Sequence, residues 1–297
     1  MRCLAMLVLL AAPAAAADQA NLGAQAREGM RKAVAFFHSR VATEGGYLWR
    51  YSEDLALREG EGKATDRTVW VQPPGTPAVG DALLDAWRGS GEPSCLAAAR
   101  AAGMCLVRGQ LHSGGWDYRI EFDPQQRKRY AYRVDPPAGK AQRNSSTLDD
   151  NTTQAALAFL IRLDKALDCK DATIHEAADY GLNKLIDVQY PNGAWPQRFD
   201  GPPDPQQFPV KKANYPETWS KTFPQADYKS FYTFNDNALN DVIDVMFEAW
   251  HTYDDSQYRG SAERAGGFIL LAQMPAPQPG WAQQYNNDMQ PAWARKF

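Results

Sequence analysis

The 297-residue chain has little of what would place it in several common classes. It has only four histidines, His38, His112, His175 and His251, scattered without paired spacing, so no zinc-hydrolase signature is present. It has four cysteines, and one of them, Cys3, sits in the opening segment. Cys95 and Cys105 fall ten residues apart on one expected helix, about 15 Å by helical rise, too far to bridge. Cys95, Cys105 and Cys169 are therefore expected as buried thiols with no disulfide framework. The formal charge is −3, from 32 basic and 35 acidic residues, which leaves no positive excess for a phosphate backbone and excludes nucleic acid as an expected partner. No Gly-x-Gly-x-x-Gly, phosphate-binding loop or Gly-x-Ser-x-Gly elbow occurs, so the usual dinucleotide, nucleotide and esterase sites are missing. Strand signals are scarce, the best being Tyr118 to Phe122 and Arg129 to Val134, which would pair as one minor β-hairpin. Past the opening residues no run approaches the roughly 18 apolar residues that span a bilayer, so no membrane association is expected.

What is present is a start with the form of an export signal. Arg2 precedes an apolar run from Leu4 to Ala12 and a small-residue stretch from Ala14 to Ala17, so residues 1–17 are expected to be removed and residues 18–297 to form one secreted or periplasmic domain. Aromatic content is high, with 9 Trp, 13 Tyr and 12 Phe, a supply that suits both a core and a sugar-binding cleft.

The chain also repeats itself. Four glycine-aromatic turns, Gly45-Gly46-Tyr47, Gly114-Gly115-Trp116, Asn192-Gly193-Ala194-Trp195 and Pro279-Gly280-Trp281, each follow a segment with apolar residues at three- and four-residue intervals. Between them lie helix starts that carry acids: Thr76 to Leu84 with Asp81, Thr147 to Gln154 with Asp149-Asp150-Asn151, and Thr233 to Leu239 with Asn235-Asp236-Asn237. This alternation predicts an all-α fold, an α/α toroid built as a ring of helical hairpins. Seven helices are counted, near residues 28, 76, 95, 150, 174, 235 and 262. That odd number, followed by an uncapped tail, is read as a ring incomplete at the C-terminus.

Inner helices of such a ring begin at one mouth, which would gather Asp150, Asn151, Asn235 and Asp236. Any one of these acids alone reads as a helix cap. Two oxygen-rich clusters on successive inner helices exceed what capping needs, and hard oxygen donors suit calcium. The same acids, suitably spaced, would also serve a glycoside hydrolase, with Asp150 and Asp236 as its carboxyl pair.

Three strings in order carry a family resemblance: Asp150-Asn151-Thr152-Thr153-Gln154, Gln189-Tyr190-Pro191-Asn192-Gly193-Ala194-Trp195-Pro196-Gln197-Arg198, and Tyr232-Thr233-Phe234-Asn235-Asp236-Asn237-Ala238. From about Asn144 onward the chain resembles the pectate lyases of polysaccharide lyase family 10. That resemblance implies a monomeric, calcium-dependent enzyme that cleaves polygalacturonate by β-elimination. It implies Asp150 and Asp236 as metal residues, Asn151 and Asn235 as substrate-binding residues, and Arg295, in Ala294-Arg295-Lys296-Phe297, as the catalytic base. Trp195 is expected beside them as a substrate-binding residue, and Arg198 and Arg119, each just after a glycine-tryptophan turn, as carboxylate-binding residues at flanking subsites. The chain departs from the family in its Asn-Gly-Ala-Trp turn, in an inserted segment from Gly201 to Asp227, and in stopping at Phe297, short of a second arginine. A non-catalytic uronate-binding protein stays open beside the enzyme.

Overall fold

The computed structural model describes residues 12–136, 142–220, 222–223 and 228–292. The first helix, α1 (Ala12–Phe36), runs into a π-helical turn at Phe37–Val41. Short strands β1 (Arg50–Tyr51), β2 (Arg58–Glu59) and β3 (Thr68–Trp70) follow, then the hairpin α2 (Thr76–Ser90) and α3 (Pro93–Gly109). After β4 (Arg119–Glu121), the single turn α4 (Pro124–Arg127) and β5 (Ser146–Thr147) comes the hairpin α5 (Thr152–Ala166) and α6 (Ala172–Asp187). Strands β6 (Arg198–Phe199) and β7 (Tyr232–Thr233) lead to the hairpin α7 (Ala238–Tyr253) and α8 (Ser256–Leu271), and β8 (Gln284–Tyr285) ends the described elements. This is an α/α toroid, with α2, α5 and α7 inside and α1, α3, α6 and α8 outside. None of the described helices is long and apolar enough to cross a membrane.

The central helix α5 is apolar on nearly every side, and Ala156 to Ile161 are all buried because neighbours flank it all round. One cation ties the inner ring. Arg162 of α5 grips Glu248 of α7 through two bonds of 2.7 and 2.8 Å and reaches Asp81 of α2 at 3.0 Å. Asp81, read from sequence as a helix-start acid, thus lies inside α2 and is spent on this tie.

Each glycine-tryptophan turn is the end-stop of an outer helix. The last carbonyls of a helix have no partner within it, and the indole supplies one. Trp116 Nε1 donates to Leu106 O of α3 at 2.9 Å, Trp195 Nε1 to Leu185 O of α6 at 2.8 Å, and Trp281 Nε1 to Ile269 O of α8 at 2.8 Å. In the first two turns the chain reverses through a left-handed glycine to swing the indole back, Gly114 at φ 107° and Gly193 at φ 94°. A Cβ at Gly193 would also sit 2.1 Å from Arg264 O.

The strands close the hairpins at the mouth. In each repeat the strand before the inner helix pairs antiparallel with the strand after the turn: β3 with β4, β5 with β6, β7 with β8. The expected hairpin between Tyr118–Phe122 and Arg129–Val134 does not form. Its first half is β4, which takes Thr68–Trp70 as partner, while the second half makes only isolated bridges from Tyr130 to Arg143 and from Tyr132 to Leu111. Cys95 and Cys105 are buried free thiols, but Cys169, expected buried, is exposed in the turn between α5 and α6.

Candidate metal and substrate site

The mouth is set by two identical irregular turns. Before α5, Asp150 and Asn151 both take the left-handed conformation, at φ 49° and 56°, and before α7, Asp236 and Asn237 repeat it at φ 50° and 60°. Asp and Asn tolerate this region better than other side-chain-bearing residues, which explains the residue types but not why the chain accepts it at the start of both inner helices; the turn after α5 holds a further such pair at Asp168 and Cys169. Strain of this kind, of order 1–3 kcal/mol per residue, persists where the surroundings impose it, and functional sites are where it gathers.

Capping does not account for these residues. The outer helices α6 and α8 are capped by side chains, Asp171 on the amides of Thr173 and Ile174 and Asp255 on that of Gln257. The inner helices α5 and α7 have Asn151 and Asn237 at the cap position, and neither makes a side-chain cap bond. The acids of the inner helices are instead turned toward one another. Carboxylate oxygens of Asp149, Asp150 and Asp236 lie within 4.8 Å of one another.

Neighbouring strands fix these carboxylates in place. Tyr118, just before β4, donates its hydroxyl to Asp149 Oδ2 at 2.5 Å, and Gln197, just before β6, donates Nε2 to Asp149 Oδ1 at 2.9 Å. Gln72 Nε2 donates to Asp150 Oδ2 at 2.8 Å, and Asn235 Nδ2 donates to Asp236 Oδ2. Among the described residues no salt bridge reaches any of the three acids. Partial burial, then the charges of Asp149 and Asp236, raise the Asp150 carboxyl above its ordinary range. Three acids crowded together without a cation form a site suited to a divalent ion, and all-oxygen donors are what calcium takes. The inner helices also point their positive ends at the mouth, which favours both these carboxylates and an anionic ligand.

Arg198 is the nearest cation that the hydrogen bonds place here. Its guanidinium lies 5.2 Å from the Tyr118 ring centroid and donates to the Tyr118 hydroxyl at 3.2 Å. Burial, then Asp149, raises the Tyr118 hydroxyl well above its usual range, so it stays protonated and able to donate. Arg119 occupies the matching strand position one repeat earlier but pairs with Glu121 at 3.3 Å. Asn151 lines a cavity of about 270 Å³ between the inner helices, together with Pro73, Gln154, Asp241 and Glu248.

Trp195 requires a correction. It is 1% exposed and its indole is consumed by the α6 end-stop, so it offers no face to a sugar. Arg295 lies outside the described residues. Sequence reading missed Asp149, Tyr118, Gln197 and Gln72. Asp149 stood in the acidic string and could have been taken with it, whereas the other three become visible only once the strands pair.

A family model for pectic acid lyase matches residues 110–295, more than half of the chain and a span that holds Asp149, Asp150, Asp236, Arg119, Arg198 and Arg295. No curated protein matches the chain. Among solved structures, a mutant of the family 10 polysaccharide lyase from Cellvibrio cellulosa in complex with trigalacturonic acid is 19% identical, with 62% of this chain and 51% of that chain covered at a TM-score of 0.41. Cellobiose 2-epimerase from Spirochaeta thermophila is 10% identical, covering 92% of this chain and 59% of that one at a TM-score of 0.53. A possible member of the GH105 family from Salmonella enterica is 11% identical, covering 89% and 60% at 0.52. The chain spans about half the length of the family 10 lyase structure, and its likeness to the latter two is one of fold.

Proposed function

The chain belongs to the pectic acid lyase family, and from that premise we propose that it is a calcium-dependent pectate lyase that cleaves polygalacturonate by β-elimination. The observation that carries this reading is the pair of left-handed turns that bring Asp149, Asp150 and Asp236 within 4.8 Å of one another without using them as caps.

These three carboxylates hold the ion. Tyr118 and Gln197 lock the rotamer of Asp149, and Gln72 that of Asp150, so the donors are arranged before the ion arrives. Calcium, when bound, supplies Lewis-acid neutralisation of the uronate carboxylate, which makes the adjacent C5 proton easier to remove. Arg198, whose guanidinium lies against Tyr118, is the proposed grip on a uronate carboxylate at the rim. Elimination moves the C5 proton to the base, forms the C4–C5 double bond and breaks the C4–O4 bond, with the departing oxygen taking a proton from solvent, and leaves an unsaturated uronide at the new end. Arg295 is the proposed proton acceptor, on the family resemblance alone. The arginine-led apolar start, Arg2 through Ala17, supports export to the periplasm or beyond.

The test is incubation with polygalacturonate, with and without calcium, while following the ultraviolet absorbance of the unsaturated product. A rise that needs calcium and stops on chelation is expected. No rise at any calcium concentration would overturn the reading.

A further inference from the structure

Far from the mouth, at the other end of α5, three side chains of different chemistry meet. Asp164 lies twelve residues into α5 from Thr152, about 18 Å along the helix. Cys169 lies in the turn after α5, and His175 in the first turn of α6. One ligand atom from each, a carboxylate oxygen, the thiol sulfur and an imidazole nitrogen, all fall within 4.8 Å of one another. We propose that Asp164, Cys169 and His175 form a second metal site, which takes a divalent transition ion of the zinc class.

The independent observation is at Asp164. Its side chain is 0% exposed. Oδ2 is engaged by His175 Nδ1 at 2.7 Å and by the Tyr253 hydroxyl at 3.0 Å, and the Cys169 thiol turns toward the same carboxyl, but Oδ1 is buried with no N–H or O–H donor. A bare buried carboxylate oxygen is costly, and native proteins rarely leave one unless an ion or water completes it. A cation bound here would complete it. Cys169 and His175 are exposed, so the ion has an entry path while its anchoring carboxylate stays dry.

The donor set selects the ion. Thiolate and imidazole suit zinc, cobalt and their neighbours, and neither suits calcium, so this site and the all-oxygen mouth sort ions by softness. Zinc bonds of about 2.0–2.3 Å at tetrahedral angles put ligand atoms roughly 3.3–3.8 Å apart, so on binding the His175–Asp164 hydrogen bond opens and the donors rearrange around the ion by side-chain rotation, with water as the fourth ligand. On binding, the thiol proton leaves to solvent, the sulfur–metal bond forms, and no electron is transferred. Tyr253, whose ring stands edge-on to His175 at 5.5 Å, keeps its hydroxyl on Asp164 and orients the carboxylate. Bound this way the ion staples α5, its turn and α6 together, a role separate from the chemistry at the mouth.

Cobalt(II) is the probe, because a thiolate ligand gives it a charge-transfer band in the near ultraviolet. The chelator-treated full chain is expected to bind one equivalent, to show that band, and to lose it when zinc is added but not when calcium is. Cys169→Ser, a change at an exposed side chain, should abolish the band and weaken zinc binding by about tenfold or more, and His175→Ala should weaken it similarly. Asp150→Asn should leave the band intact. Zinc should raise the melting temperature of the parent but not of Cys169→Ser. A band that survives Cys169→Ser, or no zinc binding at millimolar ion, would overturn the proposal and leave the three side chains as a hydrogen-bonded lock on the hairpin.

Discussion

At the residue scale the most informative group is Asp150, whose partly buried carboxyl is raised by desolvation and by two acidic neighbours. An acid raised in the folded state contributes stability that is present below its ordinary pKa, about 3.9, and lost as pH rises through the folded value. Without calcium, Asp150→Asn should therefore raise the melting temperature at pH 7, with the gain fading toward pH 4, and it should remove the stabilisation that calcium confers on the parent. Calorimetry with calcium and with chelator at both pH values checks this, and a lower melting temperature for the variant in chelator at pH 7 would show a carboxylate already satisfied. Arg295→Lys is expected to lose roughly a hundredfold in turnover with a much smaller change in KM, the mark of a lost base, whereas a carboxylate grip would show as raised KM. Asp150 and Asp236 were legible in the sequence because their strings repeat. Tyr118 and Gln197 were not, since each precedes Asp149 or follows it by more than 30 residues and reaches it only through strand pairing. Trp195 was misread because an aromatic after a glycine looks the same whether it caps a helix or faces a sugar.

At the element scale the glycine-tryptophan turns were legible as punctuation, and six of the seven long helices lie near their expected places, while α1 begins at Ala12 and not near residue 28. What the turns do was hidden, because the indole acts on a carbonyl ten or twelve residues back. The misplaced hairpin has a similar cause: alternation in Tyr118–Phe122 marks a strand, but nothing local selects Thr68–Trp70, some 50 residues earlier, as its partner. The end-stops differ in burial, which gives a paired prediction. Trp195→Phe leaves Leu185 O buried without its donor and a gap beside it, so a loss of about 3 kcal/mol in urea unfolding is expected. Trp281 is 50% exposed, water can replace its indole at Ile269 O, and Trp281→Phe should cost about 1 kcal/mol or less. Neither change should move KM for polygalacturonate, and a several-fold rise in KM for Trp195→Phe with an unchanged fold would return that residue to the substrate site.

At the scale of the whole molecule, the three acids come from two successive repeats. Asp149 and Asp150 lead into the α5–α6 hairpin and Asp236 into the α7–α8 hairpin, and the β4 and β6 neighbours Tyr118 and Gln197 bring in the strands that close successive hairpins. A calcium ion held by all three is therefore a cross-link between neighbouring hairpins at the mouth, complementing the Arg162 tie to Asp81 and Glu248 deeper in the ring. Without the proposed ion the like charges of the acids would repel across those two turns; with it both turns would be fixed by the same ion. Ion binding to the folded chain stabilises it by about 2.7 kcal/mol at a concentration 100 times Kd. Because the gain is shared across the junction, amide exchange should slow in step over residues 146–154 and 232–240 as calcium is added, with one midpoint for both segments. The outer helices α3 and α6, tied by their own indoles, should change little. Hydrogen exchange followed by mass spectrometry during a calcium titration measures this, and protection confined to one of the two segments would mean that the ion is held by a single hairpin and that the two left-handed turns do not act as one site.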